Sequence, residues 1–580
     1  MRVQINKEYK MNTYIKPYIE NIYGTSTAGQ FPYTRELLCE RPIFPTFVMD
    51  TGAKLLTRQV LGIDDGDDML EKIMDGSIFD YYRRDGEFEW CRVLNDFRKT
   101  DFLYEWEAHI WLARMYILLP LAQKFAITRD RKYSDAWFKI FSHWKENNPI
   151  YPFDRNIHRF KTTMVWSDMQ IVWRMLNLIY SIFMLSCDKD CFTPEQWCEI
   201  YKSMELHAQR IYDEAVWHAE LHDADNHNLQ MGMCMIMTGT LYPEFGHSEE
   251  FISTGKEVVK DNLEFSIFPD GVNEEGGISY TPFIARLYLE AHLLLSKNGH
   301  GGIEGMEESL EKQYSFIYQF SDPYGKTQQM GDSYTFDAVS DIELVKKLMP
   351  MSIPQKKVSA VYENSCMAVL RNERFELFID GLAMKRWHQH YGRMTYTLFV
   401  DGKIAVCDSG GVNYDCHDLR EFLNSAQAHN TISVDGKSVH DFKEKPEIID
   451  YSLNGEVQYI TYVNKNECFT HERTFTLYTD RLEVSDKVEI HNNASLTNNI
   501  HLPGRIIGYY AEDAKNQPIS ENSTLFTQRI NDKLLRVKTD TPFKREFVPC
   551  MNYDSLEDWC YALRIPVENG ECHKTVITLE

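Results

Sequence analysis

Two histidines separated by one residue, His388 and His390, have the residue types and spacing that most directly indicate chemistry in this chain. Side chains alternate across a β-strand, so both imidazoles would lie on one face if this segment is extended. Asp408 and His429 follow at spacings that neighbouring strands can close. A His/His/carboxylate set suits zinc or a similar divalent ion, so His390, Asp408 and His429 are the predicted metal ligands. His388 is not needed as a ligand and is therefore a candidate catalytic residue.

The surrounding sequence predicts strands that would bring these residues together. The segment 394–407 alternates in hydrophobicity on either side of Asp401-Gly402, which is a strong hairpin-turn pair. Residues 430–434 predict a further strand directly after His429. The predicted metal ligands would therefore converge at the ends of neighbouring strands.

A second group of polar residues begins at Asn226-His227, which stand directly before an apolar helical segment. At a helix N-terminus, an amide donor and an imidazole lie at the positive end of the helix dipole. That arrangement suits a bound carboxylate. A simple capping loop is the alternative interpretation.

The glycine-rich segment 268–280 follows and ends in Tyr280. On its own, this tyrosine is as compatible with core packing as with catalysis. Glu274 and Glu275 suggest a glycosidase acid/base pair. Adjacent side chains rarely face the same way, so that interpretation is the weaker one.

Composition limits the class of protein. With 580 residues and 43% hydrophobic residues, the chain can form more than one core, since single cores rarely exceed about 250–300 residues. The net charge of -24 argues against general binding to nucleic acids or anionic membranes, but not against a local basic cleft for a polyanion. The 13 scattered cysteines indicate reduced thiols. No signal-peptide pattern is evident, so we expect a cytoplasmic location if Met1 is the natural start, and a periplasmic or secreted one if a signal peptide was removed.

The chain changes character near residue 355. Before it, several apolar patterns have the helical period, and Thr193-Pro194 has the composition of a helix start. After it, short alternating segments are separated by turn pairs. We therefore predict a helical domain at 1–355 and an antiparallel β-domain, built as a sandwich, at 356–580.

Taken together, these motifs resemble those of the heparinase II/III-like polysaccharide lyases. A weaker match lies at 330–333, and the sequence departs from the family pattern at Trp387 and at Tyr391-Gly392, which flank the His-x-His segment. The similarity covers roughly residues 90–490. The four stronger motifs stand in the family's order: Asn226-His227, DGVNEEGGISY at 270–280, HQH at 388–390 leading through the hairpin to Asp408, and AHNTISVDG at 428–436.

This resemblance implies a multidomain α + β fold, in which an N-terminal incomplete (α/α) toroid is followed by a C-terminal antiparallel β-sandwich. It also implies β-elimination on a polysaccharide that contains uronic acid. The implied cofactor is a divalent metal ion, zinc ahead of manganese or calcium, held by the three ligands named above. Its role would be mainly structural, holding the loop that carries His388.

The resemblance assigns roles to four catalytic residues. Asn226, helped by His227, would neutralise the uronate carboxylate so that the proton α to it becomes removable. Tyr280 and His388 would supply the base and the acid. In syn elimination Tyr280 would serve as both, whereas for the opposite uronate epimer His388 or His227 would be the base.

Five further residues are predicted to contact an anionic polysaccharide or oligosaccharide through charge, hydrogen bonds or sugar stacking. Two of them, Arg98 and Arg174, are equally compatible with packing or a helix surface. Arg393 could also assist ionisation of Tyr280, as could Arg386. The five predicted substrate contacts are Arg98, Arg174, Glu275, Trp387 and Arg393.

Several functions remain open on the sequence. The substrate would be a glycosaminoglycan of the hyaluronan, chondroitin or heparan type, or alginate or another polyuronate. A toroidal glycoside hydrolase using Glu274, Glu275 or Asp332 is a further alternative, as is a non-catalytic glycan-binding protein. The absent export pattern suggests action on imported oligosaccharides, and so exo-cleavage. Oligomeric state, uronate epimer and sulfation preference are not predicted.

Overall fold

The computed structural model describes fourteen stretches of the chain. Arg98, Arg386 and Trp387 lie outside them. The chain forms two compact units, unit 1 (Met1–Phe265 and Arg286–Met306) and unit 2 (Ser266–Ala285 and Glu307–Glu580). The described stretches are 30–36, 66–84, 87–88, 112–150, 164–220, 224–245, 247–333, 335–382, 388–412, 417–434, 445–505, 518–530, 532–551 and 557–580.

Helices dominate the described residues before the β-rich region. The predicted helix start is confirmed: α5 begins at Pro194, the Thr193 hydroxyl accepts from the Gln196 amide at 3.3 Å, and the Gln196 side chain accepts from the Thr193 amide at 2.8 Å. No described helix is long and apolar enough to cross a membrane. The α-helices are α1 (Gly66–Asp75), α2 (Leu118–Thr128), α3 (Arg131–Asn147), α4 (Asp168–Leu185), α5 (Pro194–Glu220), α6 (Asn226–Leu241), α7 (Ser248–Ser266), α8 (Tyr280–Lys297), α9 (Met306–Gln319), α10 (Ala338–Leu348) and α11 (His417–Asn424).

Strands dominate from residue 360 onward. The predicted hairpin is confirmed, because β6 and β7 are joined by Asp401-Gly402, both with positive φ. The strands are β1 (Arg83–Arg84), β2 (Glu87–Phe88), β3 (Ala360–Tyr362), β4 (Met367–Arg371), β5 (Phe375–Asp380), β6 (Thr395–Val400), β7 (Lys403–Val406), β8 (Ile432–Val434), β9 (Glu447–Ser452), β10 (Gln458–Lys465), β11 (Phe469–Leu477), β12 (Leu482–Ile490), β13 (Leu496–Arg505), β14 (Pro518–Asn522), β15 (Leu525–Ile530), β16 (Lys533–Thr539), β17 (Lys544–Met551), β18 (Glu557–Pro566) and β19 (Cys572–Leu579).

Among the residues that the structure describes, three antiparallel sheets build the β-rich region of unit 2. Their strand orders are β3-β4-β5-β6-β7, β17-β18-β13-β8, and β14-β15-β16-β19-β12-β11-β10-β9. The first two sheets meet where the Cys407 amide, just after β7, donates to the His501 carbonyl on β13 at 3.0 Å. The predicted order of helices followed by antiparallel strands is therefore confirmed.

The five-stranded sheet is buried on both faces. Leu377 and Leu398 face the core shared with the eight-stranded sheet. Phe378 and Phe399 face a second core that includes Phe316 of α9. Because the sheet is held from both sides, the loops at its ends have a rigid base.

The predicted division at residue 355 follows the change in secondary structure, between the end of α10 and the start of β3. The placement of the domain boundary at residue 355 stays a prediction. The compact units run differently, since unit 2 also includes Ser266–Ala285 and most of α9.

Candidate active site

Tyr280 and His388 are in direct ring contact within unit 2. Their ring centroids are 3.9 Å apart and the planes are inclined by 19°. Tyr280 is the first residue of α8, directly after the glycine-rich segment. The two residues are only 9% and 7% exposed, so the structure brings together two predicted catalytic residues in a sheltered position.

Glycine makes this approach possible. Gly276 has φ +92°, and a Cβ there would lie 1.6 Å from Cγ of Gln389. At Gly331, with φ +69°, a Cβ would lie 2.8 Å from the His388 carbonyl oxygen. Larger residues would therefore push the His-x-His segment away from α8.

The His-x-His segment does not form the predicted strand. His388 to His390 precede β6 and carry no strand pairing. The His388 carbonyl instead accepts from the Asp332 amide at 2.9 Å. The expectation that the two imidazoles share a strand face is thus wrong, although both reach the same carboxylate.

That carboxylate belongs to Asp332. Its Oδ2 lies 3.3 Å from His388 Nδ1 and its Oδ1 lies 2.9 Å from His390 Nε2, while Arg420 Nη1 donates to Oδ1 at 2.9 Å. Burial opposes ionisation, but the Arg420 guanidinium and the two imidazoles outweigh it and hold the pKa of Asp332 well below its usual value. Asp332 is therefore the anion that orients both histidines.

Sequence reasoning missed this orienting role. In the sequence, Asp332 stands only in the weak motif at 330–333 and among the carboxylates of the hydrolase alternative, and Arg420, on α11, has no distinguishing signal.

Glu275 lies on the opposite nitrogen of the same imidazole. Its Oε2 is 3.8 Å from His388 Nε2, and the residue is buried. His388 therefore has a carboxylate near each ring nitrogen. Glu275 is predicted as a substrate contact. Its place beside His388 puts it next to the candidate catalytic residues.

Arg393, a further predicted substrate contact, is buried, and its carbonyl accepts from the Thr431 hydroxyl at 2.6 Å. Burial raises the pKa of Asp380 to about 7, and Arg393 is one of the charges that limit the rise. The guanidinium therefore belongs to the buried polar cluster around Asp380.

The predicted metal ligands lie in one buried cluster. His390 Nε2 is held by Asp332 and His429 Nδ1 is held by Asp408 Oδ1 at 2.9 Å. The other nitrogens, His390 Nδ1 and His429 Nε2, have no hydrogen-bond partner, and the ring centroids are 5.1 Å apart. A carboxylate on one imidazole nitrogen with the second nitrogen unpartnered is the pattern of a metal-ligating histidine.

Asp408 fits a direct ligand role less well. Its Oδ2 accepts from the Thr395 hydroxyl at 2.6 Å and its Oδ1 also accepts from the Ser409 amide. Burial raises the pKa of Asp408, but His429 and Thr395 outweigh this and keep it below the usual value. Burial lowers the pKa of His390, which favours the neutral form that binds metals. Within the described stretches, no group of three or more His, Cys, Asp or Glu side chains has metal-site spacing.

A buried ion pair in the sandwich fixes the segments that carry these histidines. Arg473 Nε donates to Asp486 Oδ1 at 2.6 Å, and His471 Nε2 lies 2.7 Å from the same oxygen. Arg473 Nη1 also donates to the carbonyls of Met394 and Asn430. One guanidinium thus ties the start of β6 to the residue after His429.

Asn226 and His227 lie in unit 1, at the predicted helix start. They are the first two residues of α6, capped by Asp225, whose side chain accepts from the Asn228 amide at 2.9 Å. The Asn226 side-chain oxygen accepts from Gln230 at 3.0 Å. His227 Nδ1 lies 2.8 Å from Asp168 Oδ1, so this carboxylate orients the imidazole.

Arg174, also in unit 1, packs in the interior of the helical region. The prediction that it contacts substrate is therefore wrong. The residue is fully buried. Its guanidinium donates to the carbonyls of Ala113 and Val165, at 2.8 Å each, and lies 4.1 Å from the ring centroid of Trp144. Every side of the guanidinium is thus occupied by the helices around it.

Comparison with solved structures confirms the predicted fold class, an incomplete (α/α) toroid followed by an antiparallel β-sandwich. A crystal structure of heparinase III aligns over 97% of this chain and 89% of its own, with TM-score 0.75 and 16% identity. A heparan sulfate lyase from Pedobacter heparinus aligns over 94% and 87%, with TM-score 0.60 and 16% identity.

Curated relatives are similar over a shorter span. The heparin-sulfate lyase of Bacteroides thetaiotaomicron is 20% identical over 404 residues, 62% of this chain and 55% of that protein. The heparin-sulfate lyase of Pedobacter heparinus is 21% identical over 388 residues, 62% and 56%. The matched region thus spans little more than half the length of these relatives.

Family profiles cover more of the chain than any one curated relative. The heparinase II/III N-terminal profile matches residues 62–356, and the heparinase II/III-like C-terminal profile matches residues 354–547. The first includes Asn226 and Tyr280, and the second includes His388 and His429. Since these matches span most of the helical and strand regions, the chain belongs to the heparinase II/III-like family.

Proposed function

We propose that this protein is a polysaccharide lyase that cleaves uronic-acid-containing glycosaminoglycans, or their oligosaccharides, by β-elimination. The curated relatives carry the name heparin-sulfate lyase, which favours a heparan-type substrate over hyaluronan, chondroitin or alginate. The single observation that carries the proposal is the stack of Tyr280 on His388.

The reaction removes the proton on the carbon α to the uronate carboxylate and expels the glycosidic oxygen from the adjacent carbon. The electron pair of the C–H bond becomes the new C=C bond, and the C–O pair leaves with the oxygen, which takes up a proton. One group must accept the first proton and one must donate the second. The product is an unsaturated uronate end and a new hydroxyl.

Tyr280 and His388 suit these two transfers. A phenol ionises near neutrality only with help from a nearby positive charge. The His388 imidazole, with Asp332 at 3.3 Å and Glu275 at 3.8 Å, lies against the Tyr280 ring and would supply that charge when it is protonated. In syn elimination the Tyr280 phenolate would take the α-proton and the resulting phenol would protonate the leaving oxygen.

The surroundings of Asn226 support its proposed role as a carboxylate donor. Gln230 donates to its side-chain oxygen, and the residue lies at the N-terminus of α6. A hydrogen bond there, aided by the helix dipole, would stabilise the negative charge that builds on the carboxylate in the transition state. His227, oriented by Asp168, would add a second polar contact.

The proposal also includes a structural divalent ion, zinc ahead of manganese or calcium. His390 Nδ1 and His429 Nε2 would be ligands, since both are buried and unpartnered. Asp408 would join them as a ligand, or hold His429 in position as it does in the structure. Such an ion would tie the segment after His388 to the end of the Ala426–Ala428 turn.

The test is ultraviolet absorbance during incubation with heparan sulfate, heparin, hyaluronan, chondroitin sulfates and alginate. Unsaturated uronate absorbs, so a rise with heparan sulfate that is absent with Tyr280→Phe is the expected result. A rise with alginate alone would correct the substrate class. Saturated reducing ends without any rise would overturn elimination and favour hydrolysis. Early long products would exclude exo-action.

A further inference from the structure

Two aromatic rings are exposed side by side at the edge of the four-stranded sheet. Phe547 on β17 is 52% exposed and Trp559 on β18 is 43% exposed. Their ring centroids are 5.4 Å apart and the planes are inclined by 17°, so the two rings are stacked on each other. Large aromatic rings left together in water are costly unless something covers them, so this surface suggests a ligand.

A third ring and a cation complete the surface. Tyr561 is opposite Phe547 in the β17–β18 register, with ring centroids 5.3 Å apart. The guanidinium carbon of Arg545 lies 5.4 Å from the Tyr561 ring centroid. A cavity of about 400 Å³ is lined by Arg545, Glu546, Phe547 and Tyr561. This volume lies in the range of about 300–1,000 Å³ found for small-ligand sites.

The charge in this cavity favours an anionic ligand. The Glu546 carboxylate is already paired, with Arg564 Nε at 3.0 Å and Lys544 Nζ at 3.3 Å. The Arg545 guanidinium adds positive charge next to the rings, beside the Lys544 and Arg564 cations, on a chain whose net charge is -24. A guanidinium forms two parallel hydrogen bonds with a carboxylate or a sulfate.

We propose that the aromatic platform, Phe547, Trp559 and Tyr561 with Arg545, is a second glycan site that binds pyranose rings of an anionic oligosaccharide. The apolar C–H face of a pyranose packs on the exposed part of an aromatic ring, and the carboxylate or sulfate groups on its rim pair with Arg545. The class of glycan rests on the proposed function, whereas the site itself rests on the exposed rings, the cavity and the charge. Such a site would hold a long chain while its end is cleaved elsewhere.

The experiment is calorimetric titration of the full-length Tyr280→Phe protein with a heparan sulfate decasaccharide, which this variant would not cleave. Added Trp559→Ala or Phe547→Ala should weaken binding about tenfold, which is about 1.4 kcal/mol. Arg545→Gln should weaken it and reduce its dependence on salt. The matched control is Tyr451→Ala, which removes a comparably exposed aromatic ring from β9.

Each result of these titrations either supports the aromatic platform or overturns it. Unchanged affinity in Trp559→Ala and Phe547→Ala, with native melting temperatures, would overturn the platform. Absence of decasaccharide binding would overturn it as well, as would self-association that Trp559→Ala abolishes, since the rings would then face a second copy. If the native protein gives no ultraviolet rise, the proposed function fails, and the same titration on the native protein tests the platform independently.

Discussion

The ring of Tyr280 lies against the face of the His388 ring at a centroid distance of 3.9 Å, and Nδ1 on the edge of this imidazole lies 3.3 Å from Asp332 Oδ2. Proton transfer to and from Tyr280 would therefore occur beside a group that can carry a balancing charge. We therefore expect that changing Tyr280, or the Asp332 carboxylate beside His388, affects the same proton transfer.

Tyr280→Phe should abolish elimination and leave the fold intact. The substitution keeps the ring on His388 but removes the hydroxyl that moves the proton, so kcat should fall by at least about 10²-fold. Ultraviolet absorbance gives the rate and thermal unfolding gives Tm, which should stay within about 2 °C. The control is Tyr324→Phe, which removes a surface hydroxyl bonded to the Gly402 carbonyl. Near-normal activity in Tyr280→Phe would exclude the tyrosine as acid or base.

Asp332→Asn should reduce both stability and activity, for separable reasons. It leaves the Arg420 guanidinium in a largely buried position without its carboxylate, at a cost of about 3–5 kcal/mol. Adding Arg420→Met should recover much of the free energy of unfolding, but not the orientation of His388, so activity should stay low. Denaturant unfolding gives the free energy of unfolding, and steady-state kinetics gives the activity, for each protein in this double-mutant cycle. Joint recovery of activity and stability would show that Asp332 has a structural role alone.

Asp486 should give the sandwich an acid-dependent stability. Burial opposes its ionisation, but Arg473 and His471 hold its pKa below the ordinary value, so the folded state binds the proton less readily than the unfolded state. This stabilisation is complete above about pH 5 and declines as the pH falls further. Asp486→Asn should therefore cost about 3–5 kcal/mol at pH 7 and flatten the dependence between about pH 5 and pH 3.

The control for this measurement is Asp480→Asn, which alters an exposed pair with Arg481 and should change the free energy of unfolding little. Denaturant unfolding at several pH values gives both quantities. An unchanged acid slope in Asp486→Asn would contradict the assignment.

Metal content should depend on His390 and His429. The native protein should contain about one zinc ion per chain after purification, and His390→Ala and His429→Ala should each lose it. Chelation should lower Tm in the native protein and not in these variants, because only the native protein has an ion to lose. His491→Ala, on a half-exposed surface histidine bonded to Thr470, is the control. Equal metal in all four proteins would refute the site.

Arg174→Lys should destabilise the helical region without changing substrate affinity. Lysine lacks the fork that bridges the Ala113 and Val165 carbonyls and the flat face that lies on Trp144, so unfolding should become easier by about 2–4 kcal/mol. KM of the folded fraction should be unchanged. A large rise in KM with native Tm would restore the original interpretation of Arg174 as a substrate contact.

Local sequence signals determined much of this protein. The Asp401-Gly402 turn, the helix starts at Pro194 and Asn226, and the change from helices to strands follow from preferences within a few residues. Such signals depend on backbone conformation and on alternating burial, which neighbouring residues impose on one another. The motifs around Asn226, Tyr280 and His388 also identified the family from the sequence.

Only the tertiary structure decided how these residues are held. The His-x-His segment looks like a strand by its pattern, yet Asp332 and the glycines at 276 and 331 fix it as a loop. Arg420 reaches Asp332 across 88 residues of chain, and Arg174 is enclosed by helices that are distant in sequence. Pairing of buried charges is set by which distant segments pack together, and a charge that is separated from its partner in sequence has no local pattern to indicate it.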